Sequence, residues 1–358
     1  MSVFSAPDFD HHERVTFHHD QATGLRAMVA IHRDWTLPSV GGTRLRAYTS
    51  EDEAIADVLK LSRGMSYKCV MAGVEYGGAK AVIMADDDAL RDREALFEAM
   101  GAFVDRFRGR FYTGVDFGLS VDDVRAMHHR TDYVCGLGHS DPAAATSRGV
   151  VTAIRAGVRR AFGSDDLSGL RVAVQGLGKV GMGVARLVHA AGARVLAADT
   201  NAEALAHARE HYGVEVMPVD RIHAAEADVF CPCAVGGVLD ETTIGELKGR
   251  VVAGAANNQL TDVALGSALK ARDIVYAPDY IANGGGLLAV VQEIEGFSDT
   301  ELDRRLAHIG ETLDEVFRDA ESHGLTTAEA ADRIAAARIA ALDERTEMPA
   351  SEATRKAS

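Results

Sequence analysis

The run from Arg171 to Asp199 admits very few folds. Arg171-Val-Ala-Val-Gln175 reads as a buried strand, and Gly176-Leu-Gly-Lys-Val-Gly181 follows it directly. A helix then extends to about Ala191, and Arg194 to Ala198 form a second strand that ends in Asp199. Strand–helix alternation continues through Val214–Val216, Asp228–Phe230, Val251–Ala253 and Ile274–Tyr276. Such alternation implies a parallel, doubly wound α/β sheet. A GxGxxG hexapeptide is weak on its own in a chain with 35 glycines. Here it sits where a dinucleotide turn requires it. Gly176 permits the tight turn, Gly178 lets backbone approach a pyrophosphate, and Gly181 lets helix and strand pack closely. With Leu177, Lys179 and Val180 these residues open a helix whose free N–H groups face the phosphates. Asp199 lies close to the roughly 20-residue offset of a ribose-binding acid. Its carboxylate would repel a 2′-phosphate, and Thr200 and Asn201 follow it with no arginine, so NAD is favoured over NADP. The competing reading is a glycine-rich turn in a domain that binds no cofactor.

The rest of the chain is patterned differently. Residues 25–32 read as a strand. Ser50 and Glu53 form a capping box before a helix with Ile55, Val58 and Leu59 on one face. Gly64 to Lys80 reads as a glycine- and lysine-rich loop, Ala81 to Ala85 as a short buried strand, and Asp92 to Arg108 as a helix. A further helix is expected near Gly149–Phe162. Residues 299–323 form a long helix with Leu302, Leu306, Ile309, Leu313 and Val316 in one stripe, and Thr326 and Glu329 cap an Ala-rich helix to about Leu342. No internal repeat is evident.

Length and charge narrow the function. A chain of 358 residues fits two domains. The formal net charge of −15 is spread along the chain, which argues against a nucleic-acid-binding face. No apolar run is long enough for a membrane helix, and Met1 to Arg14 has no signal-peptide core, so a cytoplasmic protein is expected. Cys69, Cys135, Cys231 and Cys233 are too few for a disulfide framework and read as small buried thiols. Cys231-Pro-Cys233 lacks zinc spacing and the histidines form no HExxH, so they are taken as surface or satisfied core groups, with no metal.

The chemistry must come from the first half. Lys68 lies in Met65-Ser-Tyr-Lys68 and Lys80 in Gly77-Gly-Ala-Lys80, whose glycines suggest backbone brought near a ligand. Gly41-Gly-Thr-Arg44 is a second glycine-rich turn, and Asp116 sits among small apolar neighbours in Thr113-Gly-Val-Asp116. Taken alone, each lysine is more often a solvated surface group. The ordered series continues with Cys231-Pro-Cys-Ala234, Gly254-Ala-Ala-Asn-Asn-Gln-Leu260 and Tyr276-Ala-Pro-Asp-Tyr280 with Asn283. From about Leu25 to Ala340 the chain resembles the leucine/phenylalanine/valine dehydrogenase branch of the glutamate dehydrogenase superfamily.

The resemblance implies an NAD-dependent, reversible oxidative deamination of an apolar L-amino acid to its 2-oxo acid and ammonia. Lys68 would pair with the substrate carboxylate. Lys80 would be the catalytic lysine, exchanging protons with water, and Asp116 would exchange the proton of the amine. Gly41, Gly42 and Met65 would line the substrate site. Thr146, Ala234, Asn257 and Asn283 would face the cofactor. It also implies a substrate domain over 1–147 completed by helices in 284–343, an NAD domain over 148–283, a frayed tail over 344–358, a cleft that closes on substrate, and a homo-oligomer.

Three segments depart from the family pattern. Ala79 stands where a third glycine is usual, and Trp35–Val40 and His139–Thr146 are atypical. The expected side-chain pocket, Val40, Gly114, Leu287 and Val290, holds no cation, so glutamate is disfavoured. Gly114 leaves room for a large side chain. Phe111-Tyr-Thr-Gly114 resembles the phenylalanine enzymes and Met71-Ala-Gly-Val-Glu75 the valine enzymes. A glutamate dehydrogenase and a non-catalytic NAD or 2-oxo-acid binding protein are the alternatives.

Overall fold

The computed structural model describes residues 2–84, 89–138 and 140–347. Contacts divide the chain into one unit of Met1–Ser140 with Ala335–Ser358 and a second of Asp141–Ile334.

Among the described residues the first unit carries seven strands: β1 (Arg14–Asp20), β2 (Leu25–Ile31), β3 (Ser39–Val40), β4 (Thr43–Arg46), β5 (Gly77–Met84), β6 (Phe111–Gly114) and β7 (Val134–Cys135). Its helices are α1 (Glu51–Met71), α2 (Arg93–Asp105) and α3 (Val121–His128). The sheet order is β1-β2-β5-β3-β6-β7, with β4 also beside β5. β3 and β4 are two pieces of one line between β5 and β6. Val40 pairs Gly78 and Tyr112, and Thr43 pairs Ala81 and bridges Val115, all in one register. Carried across the break, that register sets Lys80, Gly42 and Gly114 abreast, and Arg44 beside Asp116.

One face of this sheet is covered by α2 and α3 around Phe97, Met100, Phe103 and Phe111. The other carries α1, with Ile55, Val58 and Leu59 on Met28 and Val82. Truncating any of these phenylalanines would cost about 3–5 kcal/mol. Two expectations about this region are corrected. Residues 64–71 are helix and 77–80 are strand, so little of the expected 64–80 loop exists. Gly64 meets nothing on the exposed side of α1, while Ser62, Ser66, Cys69 and Val70 continue its buried face. Tertiary burial outweighs one exposed glycine, which costs about 1 kcal/mol. Ala85 lies outside the described residues. At the start of α1 only half of the expected box forms: Ser50 Oγ accepts from Glu53 N, but the Glu53 carboxylate accepts from Thr49.

The second unit has a six-stranded, wholly parallel sheet in the order β10-β9-β8-β11-β12-β13. Its strands are β8 (Arg171–Gln175), β9 (Arg194–Ala198), β10 (Glu215–Val216), β11 (Val229–Pro232), β12 (Val251–Val252) and β13 (Val275–Tyr276). Its helices begin with α4 (Pro142–Phe162), α5 (Lys179–Ala190), α6 (Ala202–Tyr212) and α7 (Glu241–Glu246). They continue with α8 (Gly266–Ala271), α9 (Asp279–Ala282), α10 (Gly285–Glu295) and α11 (Asp299–His323), and α12 (Thr327–Glu347) is divided at Ile334. α4 starts seven residues earlier than expected. Asp141 Oδ1 accepts from Ala143 N and Ala144 N, and Pro142 occupies the first helical position. Helices expected to complete the first unit belong largely to the second. α10 and α11 pack on α4, where Gly149 faces Ile309 and Gly310 faces Thr152. The Thr326–Glu329 box is reciprocal. Beyond it α12 runs to Glu347, past the expected end at Leu342, and Asp343 is held by Arg33 and Trp35. Residues 348–358 of the expected tail lie outside the described residues, as does His139.

The histidines are not all satisfied. His12 Nε2 reaches Leu59 O and Ser62 Oγ, both at 3.0 Å. Fully buried His32 has neither ring nitrogen hydrogen-bonded, with only Asp10 Oδ2 at 3.4 Å. Burial, then Arg33 and His12, push His32 down to about 3. The unfolded chain protonates it near 6.5 and so binds the extra proton between these values. Stability from this group is complete above about pH 6.5 and is lost as pH falls towards 3. The urea midpoint should therefore fall on acidification from about pH 6.5 to 5, and fall less steeply in His32→Leu. Equal slopes would show that His32 does not set this dependence.

Candidate active site

Lys80 and Asp116 come together. Lys80 Nζ lies 2.9 Å from Asp116 Oδ2. Lys80 is in the middle of β5 and is 6% exposed, while Asp116 follows β6 with a quarter of its side chain exposed. Burial alone would raise the Asp116 carboxyl, but Lys80, then Arg44 and the Phe117 N–H, together hold it below the usual carboxylate range.

The glycines around this pair make room for backbone. A Cβ on Gly41 would lie 1.7 Å from Ala79 O, and one on Gly42 would lie 2.8 Å from Asp116 Cβ. A Cβ on Gly77 would strike Arg33 O, and one on Gly78 would lie 2.0 Å from Ser66 N on α1. Gly78 N also donates to Ser66 Oγ at 3.0 Å. This corrects the reading of Gly77-Gly as backbone brought near a ligand: the near partner of Gly78 is α1. The Ser66–Gly78 contact stands two residues from Lys68 on the helix and two from Lys80 on the strand. Lys68 and Met65 are both half-buried on α1. Ala79 is a buried member of the core, which is how β5 accepts a methyl where the family has glycine.

Of the expected pocket residues, Val40 is buried in β3. Gly114 does not leave the room expected of it, because a Cβ there would lie 2.8 Å from Cys135 O. Leu287 is buried and Val290 half-buried on α10, in the second unit.

The dinucleotide turn is built as its spacing required. Gly176 has φ +93°, Gly178 N-caps α5 and has open space beside it, and a Cβ on Gly181 would lie 1.9 Å from Gly176 O. Asp199 Oδ2 accepts from Leu177 N at 2.5 Å and Oδ1 from Asn201 N at 2.7 Å. The acid therefore ties the end of β9 to the turn. Lys179 is exposed and Val180 half-buried at the start of α5, and Ala234 is exposed beside Gly176. Asn283 donates to Asn257 Oδ1 at 2.7 Å and to Ala255 O at 3.1 Å, and its own buried Oδ1 has no hydrogen-bond partner. Thr146 Oγ1 donates to Pro142 O, with Gly286 close by. A bare glycine turn, an acid at the next strand end and an unpaired buried amide oxygen fit a dinucleotide with a carboxamide head. Residues that sequence reasoning left without a role are Arg44, Asp57 and Tyr48. Arg44 was visible in its motif, but no pattern announced Asp57 or Tyr48.

Residues 11–133 match the family model described as Glu/Leu/Phe/Val dehydrogenase, dimerisation domain, and 138–209 with 199–346 match Glutamate/Leucine/Phenylalanine/Valine dehydrogenase. The chain is 38% identical to a leucine dehydrogenase of Bacillus cereus, over 96% of this chain and 94% of that one. It is 41% identical to a phenylalanine dehydrogenase of Caldalkalibacillus thermarum, over 95% and 94%. The structure of an L-tryptophan dehydrogenase from Nostoc punctiforme superposes with a TM-score of 0.84 at 38% identity, covering 93% of this chain and 97% of that one. The chain belongs to the Glu/Leu/Phe/Val dehydrogenase family, in its leucine/phenylalanine/valine branch. It is an amino-acid dehydrogenase, an oxidoreductase of CH–NH2 groups in a family that uses a nicotinamide cofactor.

The two sets of glycines should separate by substitution. Gly42→Ala, which displaces Asp116, should lower turnover at least about 10-fold with NADH affinity unchanged. Gly181→Ala should weaken NADH binding in a fluorescence titration. Unchanged turnover in Gly42→Ala would remove the spacer role of Gly42.

Proposed function

We propose that this chain catalyses the reversible, NAD-dependent oxidative deamination of an apolar L-amino acid, aromatic or branched-chain, to the 2-oxo acid and ammonia. The observation that carries this reading is the buried Lys80–Asp116 pair at 2.9 Å. The related leucine, phenylalanine and tryptophan dehydrogenases are all named for apolar amino acids. We assign the substrate to the first unit and the dinucleotide to the second. Gly176, Gly178, Gly181, Asp199 and Asn283 would hold the dinucleotide, whose nicotinamide would supply the acceptor for the hydride of the substrate α-carbon. Lys68 holds the substrate carboxylate as a point cation. Asp116 accepts a hydrogen bond and then the proton of the amine. Lys80 moves protons to and from the water that attacks the imino carbon. Val40 in the first unit, and Leu287 and Val290 in the second, are apolar and supply no cation to pair with a γ-carboxylate. The description of residues 11–133 as a dimerisation domain supports a homo-oligomer.

NADH formation at alkaline pH with leucine, valine, phenylalanine, tryptophan and glutamate tests this. Turnover is expected with apolar members, little with glutamate, and none in Lys80→Ala. NADH binding without turnover on any of them would leave a binding protein instead.

The preference for NAD rests on Asp199. Asp199→Ser should narrow the ratio of kcat/KM for NAD over NADP at least about 10-fold, because it removes one full charge beside the ribose 2′ position. It should also raise the KM for NAD, because Leu177 N loses its acceptor. An unchanged ratio would move cofactor selection elsewhere.

A further inference from the structure

The Gly41-Gly-Thr-Arg44 turn uses its glycines as spacers, and its arginine has a task of its own. Arg44 Nε donates to Asp116 Oδ2 at 3.1 Å, and Nη1 donates to both oxygens of Asp57 at 3.2 and 3.1 Å. Asp57 stands on α1 and also accepts from the Tyr48 hydroxyl at 2.7 Å. The Arg44 and Asp57 side chains are only 22% and 18% exposed. The strand line fixes the backbone beneath them: Leu45 N donates to Phe117 O, and Thr43 Oγ1 meets Thr113 Oγ1 at 2.7 Å. Lys80 approaches the same oxygen of Asp116 that Arg44 does. Two cations thus converge on Oδ2, and the Phe117 N–H is a third donor to the same carboxylate.

We propose that Arg44 is a positioning residue for the deamination: anchored on Asp57, it fixes the rotation of the Asp116 carboxylate and keeps a cation beside it whatever the charge of Lys80. This rests on the reading that Asp116 receives the amine proton. A lysine that trades protons with water is neutral for part of each turnover. A carboxylate paired with that lysine alone would then lose its counter-charge while partly buried. Arginine does not titrate in this range, so it supplies a constant charge. The charged and titratable groups facing Asp116 are Lys80 from β5 and Arg44 from β4, with Asp57 and Tyr48 behind the guanidinium.

The test is the titration of the Asp116 carboxyl followed by NMR, together with kcat for the preferred amino acid and the KM for ammonia in the reverse direction. In Arg44→Met, Asp116 loses one of two cations, so its carboxyl rises and the acid limb of that titration should move up by about 1 pH unit. kcat should fall at least about 10-fold and the KM for ammonia should rise, with NADH affinity unchanged. Arg44→Lys should restore the acid limb but not kcat, because an ammonium cannot hold Asp57 and Asp116 in one fork. Asp57→Asn should lower kcat without raising the acid limb. Arg46→Met, on the exposed neighbour paired with Glu53, is the control and should match the wild type. A wild-type acid limb and ammonia KM in Arg44→Met, with Asp116→Asn inactive, would overturn the role of Arg44 alone. Full turnover in Asp116→Asn would overturn the reading of Asp116 and this proposal with it. If Arg44→Met does not fold, Arg44→Lys and Asp57→Asn decide by the same split: wild-type kcat in both overturns the proposal.

Discussion

A lysine ammonium buried to 6% exposure is tolerable only with a carboxylate against it, because removing either partner would strand a charge at a cost of about 3–5 kcal/mol. Lys80 and Asp116 meet this condition at 2.9 Å, and much of the first unit follows from it. Lys80 stands on β5 and Asp116 follows β6, and these two strands are not neighbours in the sheet. A third line of chain, β3 and β4, runs between them and must leave a gap at the level of the pair. Gly41 and Gly42 are that gap. A side chain at the first would enter the backbone of β5, and one at the second would push Asp116 aside. The charge pair and the glycine turn are therefore one device, and Arg44 extends it to α1 through Asp57.

The second unit solves its recognition problem by backbone. Its sheet is wholly parallel, so the strand ends meet helix N-termini, and the turn at Gly176 presents amide groups in place of cations. Asp199 has two duties. One, on the function we propose, is to meet a ribose; the other is to hold the turn through Leu177 N. A net charge of −15 is no obstacle to binding a pyrophosphate under such an arrangement, because the attraction comes from local dipoles and not from the field of the whole chain.

How legible each part was depends on whether it is local. The dinucleotide turn and β8, α5 and β9 were readable to within a residue or two, because turn, cap and strand period are all encoded within thirty or so positions. In the first unit the motifs point to Lys68 and Lys80, and the structure brings Lys80 to Asp116 in a setting that the sequence does not show. A helix running through Gly64 and a strand starting at Gly77 look like a loop when the sequence is read alone, because the glycines are explained by Ser66 and Arg33 across a packing contact. β3 and β4 are too short to show any alternation, and their register is set wholly by β5 and β6. Gly114 looks like empty space in the sequence, and in the fold that space belongs to Cys135. Asp57 is one acid among many on an amphipathic helix, and only the fold brings it to Arg44.

The atypical Trp35–Val40 segment shows the same non-local logic. Arg110 binds the Asp34 carboxylate and the carbonyls of Trp35, Thr36 and Leu37. Asp343, near the end of α12, accepts from Arg33 Nε at 3.1 Å and from Trp35 Nε1 at 2.7 Å. The segment leading into Val40 is thus held at Arg33 and Trp35 by Asp343 and from Asp34 to Leu37 by Arg110. If Val40 forms part of the substrate wall as proposed, small shifts of this clamped segment would move the wall. Discrimination between apolar side chains that differ by a methylene amounts to only about 1–3 kcal/mol. A displacement of a few tenths of an ångström in well-packed chain carries energy of that order. On that proposal, selectivity among apolar side chains is set by the grip on this strand as well as by the residues of the pocket.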